Sequence, residues 1–212
     1  MLREKKYDVI CIGDIVSDAF IRLEPNSQTR LQTTNGTKEL VFEFGAKIPA
    51  GETKFIDGVG NSANAAVSLA RLGLNSALIS YVGDDYLSER ILLNLLKNTV
   101  SVEFVNIQEG KKSNLHYVLW YEDDRSLLVN HQVYDYKFPE LRAEEVPDWF
   151  YLSSISASAG VIYKDLIKVL KDNKDVKLCF QPGSFQLELL DNELKELTSL
   201  TNLLIVNKEE LS

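Results

Sequence analysis

The sequence carries the stretch GVGNSAN at residues 58–64, which runs directly into the helical pattern AAVSLARLG at residues 65–73. Its two glycines allow a sharp turn and let a ligand approach the backbone more closely than any residue with a Cβ would permit. Asn61 and Asn64 place two amide side chains at the start of a helix, where free backbone N–H groups favour polar or anionic ligands. The stretch therefore predicts a small-molecule pocket.

The composition of the chain is ordinary for a globular protein, with 45% hydrophobic and 25% charged residues. A chain of 212 residues buries about 70% of its unfolded surface, which predicts one sizeable core. The chain has 23 basic and 31 acidic residues and a net charge of −8. Such a surface repels phosphate backbones and anionic lipids, so we expect neither a nucleic-acid partner nor membrane binding.

The two cysteines, Cys11 and Cys179, each lie in an apolar, strand-like run. This position favours buried thiols in a reducing compartment over a disulfide framework. The N-terminal residues lead into a strand pattern without the apolar region of a signal peptide. No segment reaches the roughly 18 unbroken apolar residues of a membrane span. We therefore expect a cytoplasmic protein.

Strand and helix patterns alternate along the chain. A strand at 7–13 and a second one at 15–23 are followed by a polar, turn-rich region at 24–38, a strand at 40–44 and a turn at 49–52. The pattern then predicts helices at 61–72, 86–98, 160–171 and 186–197, and strands at 76–82, 101–107, 115–121, 126–131, 149–152, 176–181 and 202–207. Such alternation indicates a parallel sheet sandwiched between helices, with residues 14–57 as an excursion that forms a small subdomain or lid.

One interpretation of the glycine stretch is a dinucleotide-binding fingerprint. Gly58, Gly60 and Ala63 fit the pattern G-x-G-x-x-G/A, and Asp84 follows a later strand. Such a fingerprint usually follows the first strong apolar strand of a domain. Here that strand leads to Gly13 without a glycine pair, and the residues before 58 are half polar.

The second interpretation is sugar recognition. Carboxylates and amides accept hydrogen bonds from hydroxyl groups, and amides also donate to them. Asp14 and Asp18 follow the first strand, whereas Asn61 and Asn64 lie at the later turn. Because ligands bind beyond the carboxyl ends of parallel strands, these four side chains are expected to converge.

Six segments occur in a characteristic order: IGDIVSD at 12–18, PAGE at 49–52, GNSANAAV at 60–67, ARLG at 70–73, VGDD at 82–85 and NKEE at 207–210. In this order and spacing the chain resembles the ribokinase-like (PfkB) carbohydrate kinases over essentially its whole length. The resemblance implies a three-layer α/β/α sandwich with a mostly parallel sheet and a small β-sheet lid. Residues 1–212 would form one domain, truncated at its C-terminus, with the lid at about 14–57 and 113–131.

The resemblance also implies roles for individual residues. The substrate-binding candidates are Asp18, Gly60, Asn61 and Asn64, with Asp14 as a further candidate. Asn207 and Glu210 match an Asn-x-x-Glu motif that helps to place magnesium and phosphate. The chain departs from the family pattern at Val59, where a glycine is usual, and at Ser88, where a glycine closes the Gly-Asp-Asp motif. We expect the change at Ser88 to alter only a helix start.

The Gly-Ala-Gly-Asp signature of the family does not occur in the sequence. Its aspartate is the general base, which is therefore expected beyond Ser212, and the chain alone is expected to be inactive. The complete enzyme would use ATP and Mg²⁺ to phosphorylate a sugar or nucleoside. Two alternatives stay open, a non-catalytic sugar-binding module derived from a kinase and an NAD-binding Rossmann oxidoreductase.

Two further expectations concern metals and partners. The two histidines, His116 and His131, lie on separate predicted strands without nearby metal ligands, which argues against a metal site. Exposed strand edges near 40–57 and 115–131 would permit a homodimer that pairs through the lid strands.

Overall fold

The computed structural model describes residues 5–25, 28–183, 186 and 192–208. Its strands, in chain order, are β1 (Val9–Ile12), β2 (Val16–Leu23), β3 (Thr29–Thr34), β4 (Thr37–Phe42), β5 (Ala50–Val59), β6 (Ser76–Gly83), β7 (Val105–Gln108), β8 (Leu115–Tyr121), β9 (Asp124–Asn130), β10 (Trp149–Leu152), β11 (Lys177–Phe180) and β12 (Leu203–Leu204). Its helices are α1 (Asn61–Arg71), α2 (Tyr86–Lys97), α3 (Gly160–Asp172) and α4 (Asn192–Leu200).

The central sheet has six parallel strands in the order β12-β11-β10-β1-β6-β7. Strand β1 is buried on both faces, which explains its unbroken apolar sequence. Ile10 and Ile12 face the core shared with α3 and α4, whereas Val9 and Cys11 face the core shared with α1 and α2. The predicted three-layer arrangement around a parallel sheet is confirmed.

A second, smaller sheet has the order β5-β2-β8-β9. Strand β2 runs antiparallel to β5 and parallel to β8, and β8 forms an antiparallel hairpin with β9. The sheet consists of strands from the two regions that were predicted to form a lid, so the expected small β-sheet is confirmed. The exact boundaries of a lid subdomain stay a prediction.

The hairpin of β3 and β4 was not predicted. The sequence analysis interpreted 24–38 as a turn-rich region. In the structure, Asn35 and Gly36, with positive φ values of 51° and 83°, form the turn that connects β3 to β4. Both strands are largely exposed, so they lack the alternation of apolar and polar residues that marks a half-buried strand. The Asn-Gly pair is the one strong signal for this hairpin.

Three other element predictions need correction. The turn predicted at 49–52 is wrong, because β5 already begins at Ala50 and its first six residues are exposed. The strand predicted at 101–107 begins only at Val105, with Ser101 forming an isolated bridge to Ala77. The helix predicted at 186–197 corresponds to α4 from Asn192 onward, and residues 187–191 lie outside the described residues.

The connection from β1 to β2 contacts the start of α1 very closely. A Cβ on Gly13 would lie 2.9 Å from the carbonyl oxygen of Ser154 and 3.0 Å from the Cβ of Ser62. A Cβ on Gly60 would lie 2.8 Å from the carbonyl oxygen of Asp14. The Ser62 hydroxyl donates to that same Asp14 oxygen over 3.2 Å. The absence of side chains at the two glycines therefore allows these segments to meet.

The strand ends of the smaller sheet are joined to one another by Asn114. Its side-chain amide donates to the carbonyl of Ile15 at 3.0 Å, and its side-chain oxygen accepts from the backbone N–H of Gln132 at 2.7 Å. Its own carbonyl accepts from the backbone N–H of Ser17 at 3.1 Å. Asn114 is buried, so these bonds hold the starts of β2 and β8 and the end of β9 together.

Beside α1, part of one face of the central sheet is not covered by any of the described residues. An apolar groove of about 630 Å³ lies there, and its floor includes Trp149, Tyr151, Cys179 and Leu203. Both Cys11 and Cys179 are buried and free, as predicted. None of the described helices is long and apolar enough to cross a membrane.

Substituting Gly13→Ala should lower the free energy of unfolding by about 1–3 kcal/mol, because the new Cβ has to displace the backbone at Ser154. Urea titration followed by circular dichroism measures this loss. Gly160→Ala is the matched control, because a Cβ there meets no atom within 4 Å and Gly160 lies at the first position of α3. An equal effect of both substitutions would contradict the close-contact explanation.

Candidate functional site

A pocket of about 660 Å³ lies between the smaller sheet and the N-terminus of α1. It has the size that is usual for small-molecule sites. Its wall comes from β2, β5, β8, β9 and the first turn of α1. The lining residues are Val16, Asp18, Phe20, Ile56, Val59, Gly60, Asn61, Asn64, His116, Val118, Trp120, Asp123, Asp124, Arg125 and Leu127.

Four of the five predicted substrate-binding residues line this one pocket: Asp18, Gly60, Asn61 and Asn64. Asp18 lies on β2, and the other three lie more than 40 positions later in the chain, where β5 leads into α1. The structure therefore brings the predicted residues together, while their binding role stays a prediction. Asp14, the fifth, does not belong to the lining.

The geometry at the start of α1 leaves the two amides free for a ligand. Gly60 precedes the helix with a φ of 107°, a conformation that favours glycine. No side chain caps this helix start, so neither Asn61 nor Asn64 is used as a capping group. Both side chains are exposed to the pocket, and the helix start carries no acidic residue that would satisfy its free N–H groups.

The carboxylate of Asp18 has an unexpected neighbour in the pocket. Asp18 and His116 are directly paired in the register of β2 and β8, and the His116 Nδ1 lies 3.5 Å from the Asp18 Oδ1. The sequence analysis did not include His116 among the predicted site residues because it has no motif of its own. The alternation of His116, Val118 and Trp120 along β8, all on the pocket face, is the signal that could have identified it.

Asp14 lies behind this wall, at the carboxyl end of β1. Its side chain is only 10% exposed, and its Oδ2 lies 3.7 Å from the Nδ1 of His131. Burial raises the pKa of Asp14 to about 7, while interactions with the Ser156 backbone, the Tyr136 hydroxyl and His116 act more weakly in the opposite direction. Neither carboxylate oxygen of Asp14 makes a hydrogen bond of ordinary geometry.

A family model and several solved structures match this chain. The model of the pfkB family carbohydrate kinases matches residues 34–212. The chain belongs to the PfkB family. Among curated protein sequences, no relative matches it significantly.

Solved structures support the same fold. The nucleoside kinase of Methanocaldococcus jannaschii, an archaeal member of the ribokinase family, is 18% identical with a TM-score of 0.68, over 98% of this chain and 63% of that one. The ribokinase of Cryptococcus neoformans in complex with ADP is 18% identical with a TM-score of 0.67, over 96% of this chain and 57% of that one. The nucleoside kinase of Burkholderia thailandensis in complex with inosine is 15% identical with a TM-score of 0.68, over 95% of this chain and 61% of that one.

At these identities the likeness shows the ribokinase-like fold alone. The PfkB chain described here spans about 57–63% of the length of these three proteins.

The glycine pair of this PfkB chain does not have the placement of a dinucleotide fingerprint. Gly58 and Gly60 lie at the end of β5, a strand of the smaller sheet, whereas a fingerprint follows a strand of the parallel sheet. The chain has Val59 where the family pattern has a glycine. The glycine one position earlier, Gly58, has a positive φ of 70°. Val59 itself lines the pocket.

The Gly-Asp-Asp motif of this PfkB chain has a structural role. Asp85 caps α2 by accepting from the Ser88 N–H at 3.1 Å, and it also accepts from the Ser113 N–H at 2.9 Å and the Ser113 hydroxyl at 2.7 Å. The Ser88 hydroxyl donates back to the Asp85 carbonyl at 2.6 Å. The serine in place of glycine therefore takes part in the helix start.

Of the two predicted magnesium and phosphate residues, only Asn207 is described, and it does not belong to the pocket lining. Asn207 follows β12, at the edge of the central sheet, and is exposed. Glu210 lies outside the described residues. Within the part of the chain that the structure describes, no group of three or more His, Cys, Asp or Glu side chains is placed to hold a metal ion. We therefore assign no magnesium ligand among the described residues.

Substituting Asp85→Ala should lower the free energy of unfolding at pH 7 by about 1–2 kcal/mol, because α2 loses its cap. Burial alone would raise the pKa of Asp85, but hydrogen bonds from Ser113 and Ser88 outweigh it and lower the pKa below the usual value of 3.8. The stabilisation is therefore complete above about pH 4 and is lost as the pH falls through the lowered pKa.

Urea titrations of the wild type and the Asp85 variant between pH 7 and pH 2.5 measure this difference. Glu89→Ala is the control, since it removes an exposed carboxylate from the same helix turn without removing the cap. A difference that stays constant down to the lowest pH would contradict the assigned role of the carboxylate.

Proposed function

We propose that this chain forms the acceptor-binding part of a kinase that transfers the γ-phosphate of ATP to a hydroxyl group of a sugar or nucleoside. The observation that carries the proposal is the convergence of Asp18, Gly60, Asn61 and Asn64 on one pocket of a PfkB chain. A carboxylate that accepts hydrogen bonds and two amides that both accept and donate them match a row of neighbouring hydroxyl groups.

The charges in the pocket favour a neutral acceptor. Asp18, Asp123 and Asp124 face a single arginine, Arg125, and a histidine. An anionic acceptor would be repelled by three carboxylates. The apolar side chains Phe20, Val118 and Leu127 continue the wall away from Asp18, so the pocket also accommodates an apolar group attached to the sugar.

For the donor and the metal, the proposal rests on family membership. One similar structure was solved with ADP, and PfkB members are described as carbohydrate kinases. We propose ATP and Mg²⁺ as the cofactors of the complete enzyme. Asn207 and Glu210 would help to place magnesium and phosphate, and no general base is assigned among residues 1–212, in which no Gly-Ala-Gly-Asp signature occurs.

The second candidate is a sugar-binding module without catalysis. The same pocket would serve it, because acceptor binding needs only the residues that line the pocket. The two candidates share acceptor binding and differ in phosphate transfer by the protein in the cell.

We also propose a homodimer through the smaller sheet. Strand β9 forms an edge of that sheet, and all seven of its residues are exposed. Leu127, Leu128 and Val129 are 46%, 55% and 62% exposed in a row. An exposed apolar edge strand is a site for pairing with another chain.

The protein would act in the cytoplasm.

Substituting Asp18→Asn should weaken acceptor binding roughly 10- to 100-fold, because a hydrogen bond to a charged group is replaced by one to a neutral group. Isothermal titration of the chain with ribose, fructose and inosine measures the affinity. Asp175→Asn is the control, since it removes an exposed carboxylate from the loop after α3. Unchanged affinity in the Asp18 variant would refute the assignment of this carboxylate.

The purified 212-residue chain should show no turnover with ATP and the same acceptors, since no general base is assigned within it. Release of ADP, coupled to NADH oxidation, is the measurement. A full-length kinase of the family, assayed in parallel, establishes that the assay works. Turnover above the background rate of ATP hydrolysis would show that the chain contains a base of its own.

A further inference from the structure

Five buried polar atoms without hydrogen-bond partners lie close together next to the acceptor pocket. They are both carboxylate oxygens of Asp14, the Oδ1 of Asp18, the Nε2 of His116 and the hydroxyl of Tyr136. Across the described residues, only one further buried side-chain atom, the hydroxyl of Thr29, lacks a partner. Unpartnered buried polar groups are costly, so such a concentration requires a physical explanation.

The two histidines of the chain lie at the centre of this cluster. Their rings are stacked almost in parallel, with a centroid distance of 4.9 Å and an angle of 7°. The antiparallel hairpin produces this arrangement, because His116 lies at the start of β8 and His131 directly follows β9. A carboxylate lies beside each ring, Asp18 beside His116 and Asp14 beside His131, at 3.5 and 3.7 Å.

This geometry limits the number of protons that the two rings can hold. Two imidazolium ions at this distance in a half-buried site repel each other strongly. With two neutral rings, the Asp18 carboxylate would have no positive charge beside it, and neither would Asp14 once the pH exceeds its raised pKa of about 7. A single positive charge shared by the pair avoids both costs.

We propose that the stacked pair of His116 and His131 carries one positive charge, which is a single ring proton beyond the one N–H of each neutral imidazole. Asp14 and Asp18 hold this charge, and His116 is thereby a positioning residue for Asp18. Charge on the pair fixes the orientation of the carboxylate that meets the acceptor. The link to acceptor binding rests on the proposed function, whereas the shared charge does not.

The surroundings of the pair agree with this assignment. Burial is the larger cause that lowers the pKa of His131, and repulsion from His116 adds to it; only this second contribution reflects the cost of charging both rings. The titratable and charged groups that face the cluster are Asp14 after β1, Asp18 on β2, Tyr81 on β6, Tyr134 and Tyr136 after β9, and Asp123, Asp124 and Arg125 at the pocket rim. Asp14 and Asp18 are the two carboxylates next to the rings.

Nuclear magnetic resonance tests the shared charge directly, because the chain contains no other histidine. The imidazole signals of the ligand-free chain are followed from pH 9 to pH 4. We expect both rings to take up the first proton together and the second at a pH at least about one unit lower. Two independent titrations over the same pH range would overturn the proposal.

Isosteric variants sharpen this test. At the pH where the pair holds one proton, Asp14→Asn should move the charge from His131 towards His116, and Asp18→Asn should move it the other way. Each substitution should therefore shift both ring signals in opposite directions, while Asp175→Asn shifts neither. If each substitution affects only its neighbouring ring, the rings do not share a charge.

Acceptor binding tests the positioning role. The wild-type affinity for inosine or ribose should fall as the pair loses its proton at rising pH. His116→Gln keeps a hydrogen-bond donor but no titrating ring, so its affinity should be about tenfold lower and independent of pH over the same range. A lower affinity that keeps the wild-type pH profile would mean that His116 acts only through packing and would overturn the positioning role. If the folded wild-type chain binds no acceptor, the proposed function and the positioning role both fail, and the resonance data still decide the shared charge.

Discussion

The pocket depends on the close approach of two turns that lie almost fifty residues apart in the chain. Gly13 and Gly60 have no side chain at the positions where the connection after β1 meets the start of α1. This contact brings the start of β2, and with it Asp18, opposite Asn61 and Asn64. The chemistry of the site thus rests on a steric condition set by backbone atoms and by the side chains of Ser62 and Ser153.

A second layer of hydrogen bonds joins the strand ends of the smaller sheet to one another and to the start of α2. Asn114 joins the starts of β2 and β8 to the segment after β9, and Ser113 beside it binds the carboxylate that caps α2. Two consecutive polar residues therefore orient β8, on which His116 and Trp120 lie. Their buried bonds make the orientation of the pocket wall a property of the fold and independent of any ligand.

The parallel sheet and α1–α3 could be predicted because buried strands and amphipathic helices have strong apolar patterns. Strands β3 and β5 could not, since their exposed residues carry no periodicity and only the Asn35-Gly36 turn marks a hairpin. For the site, motifs pointed to Asp18 and Asn64, whereas the alternation along β8 could place His116 only on the same face as Val118 and Trp120. Its position beside Asp18 depends on the register between β2 and β8, which a single sequence does not reveal.

The open groove beside Trp149 and Cys179 changes how the chain responds to temperature. Unfolding increases the heat capacity because apolar surface becomes hydrated, by roughly 0.45 cal/mol/K for each Å². Surface that is already wet in the folded chain adds nothing to this increment. Leu203, which is 49% exposed at this groove, therefore contributes less to the increment than a covered leucine would, and this flattens the curve of unfolding free energy against temperature.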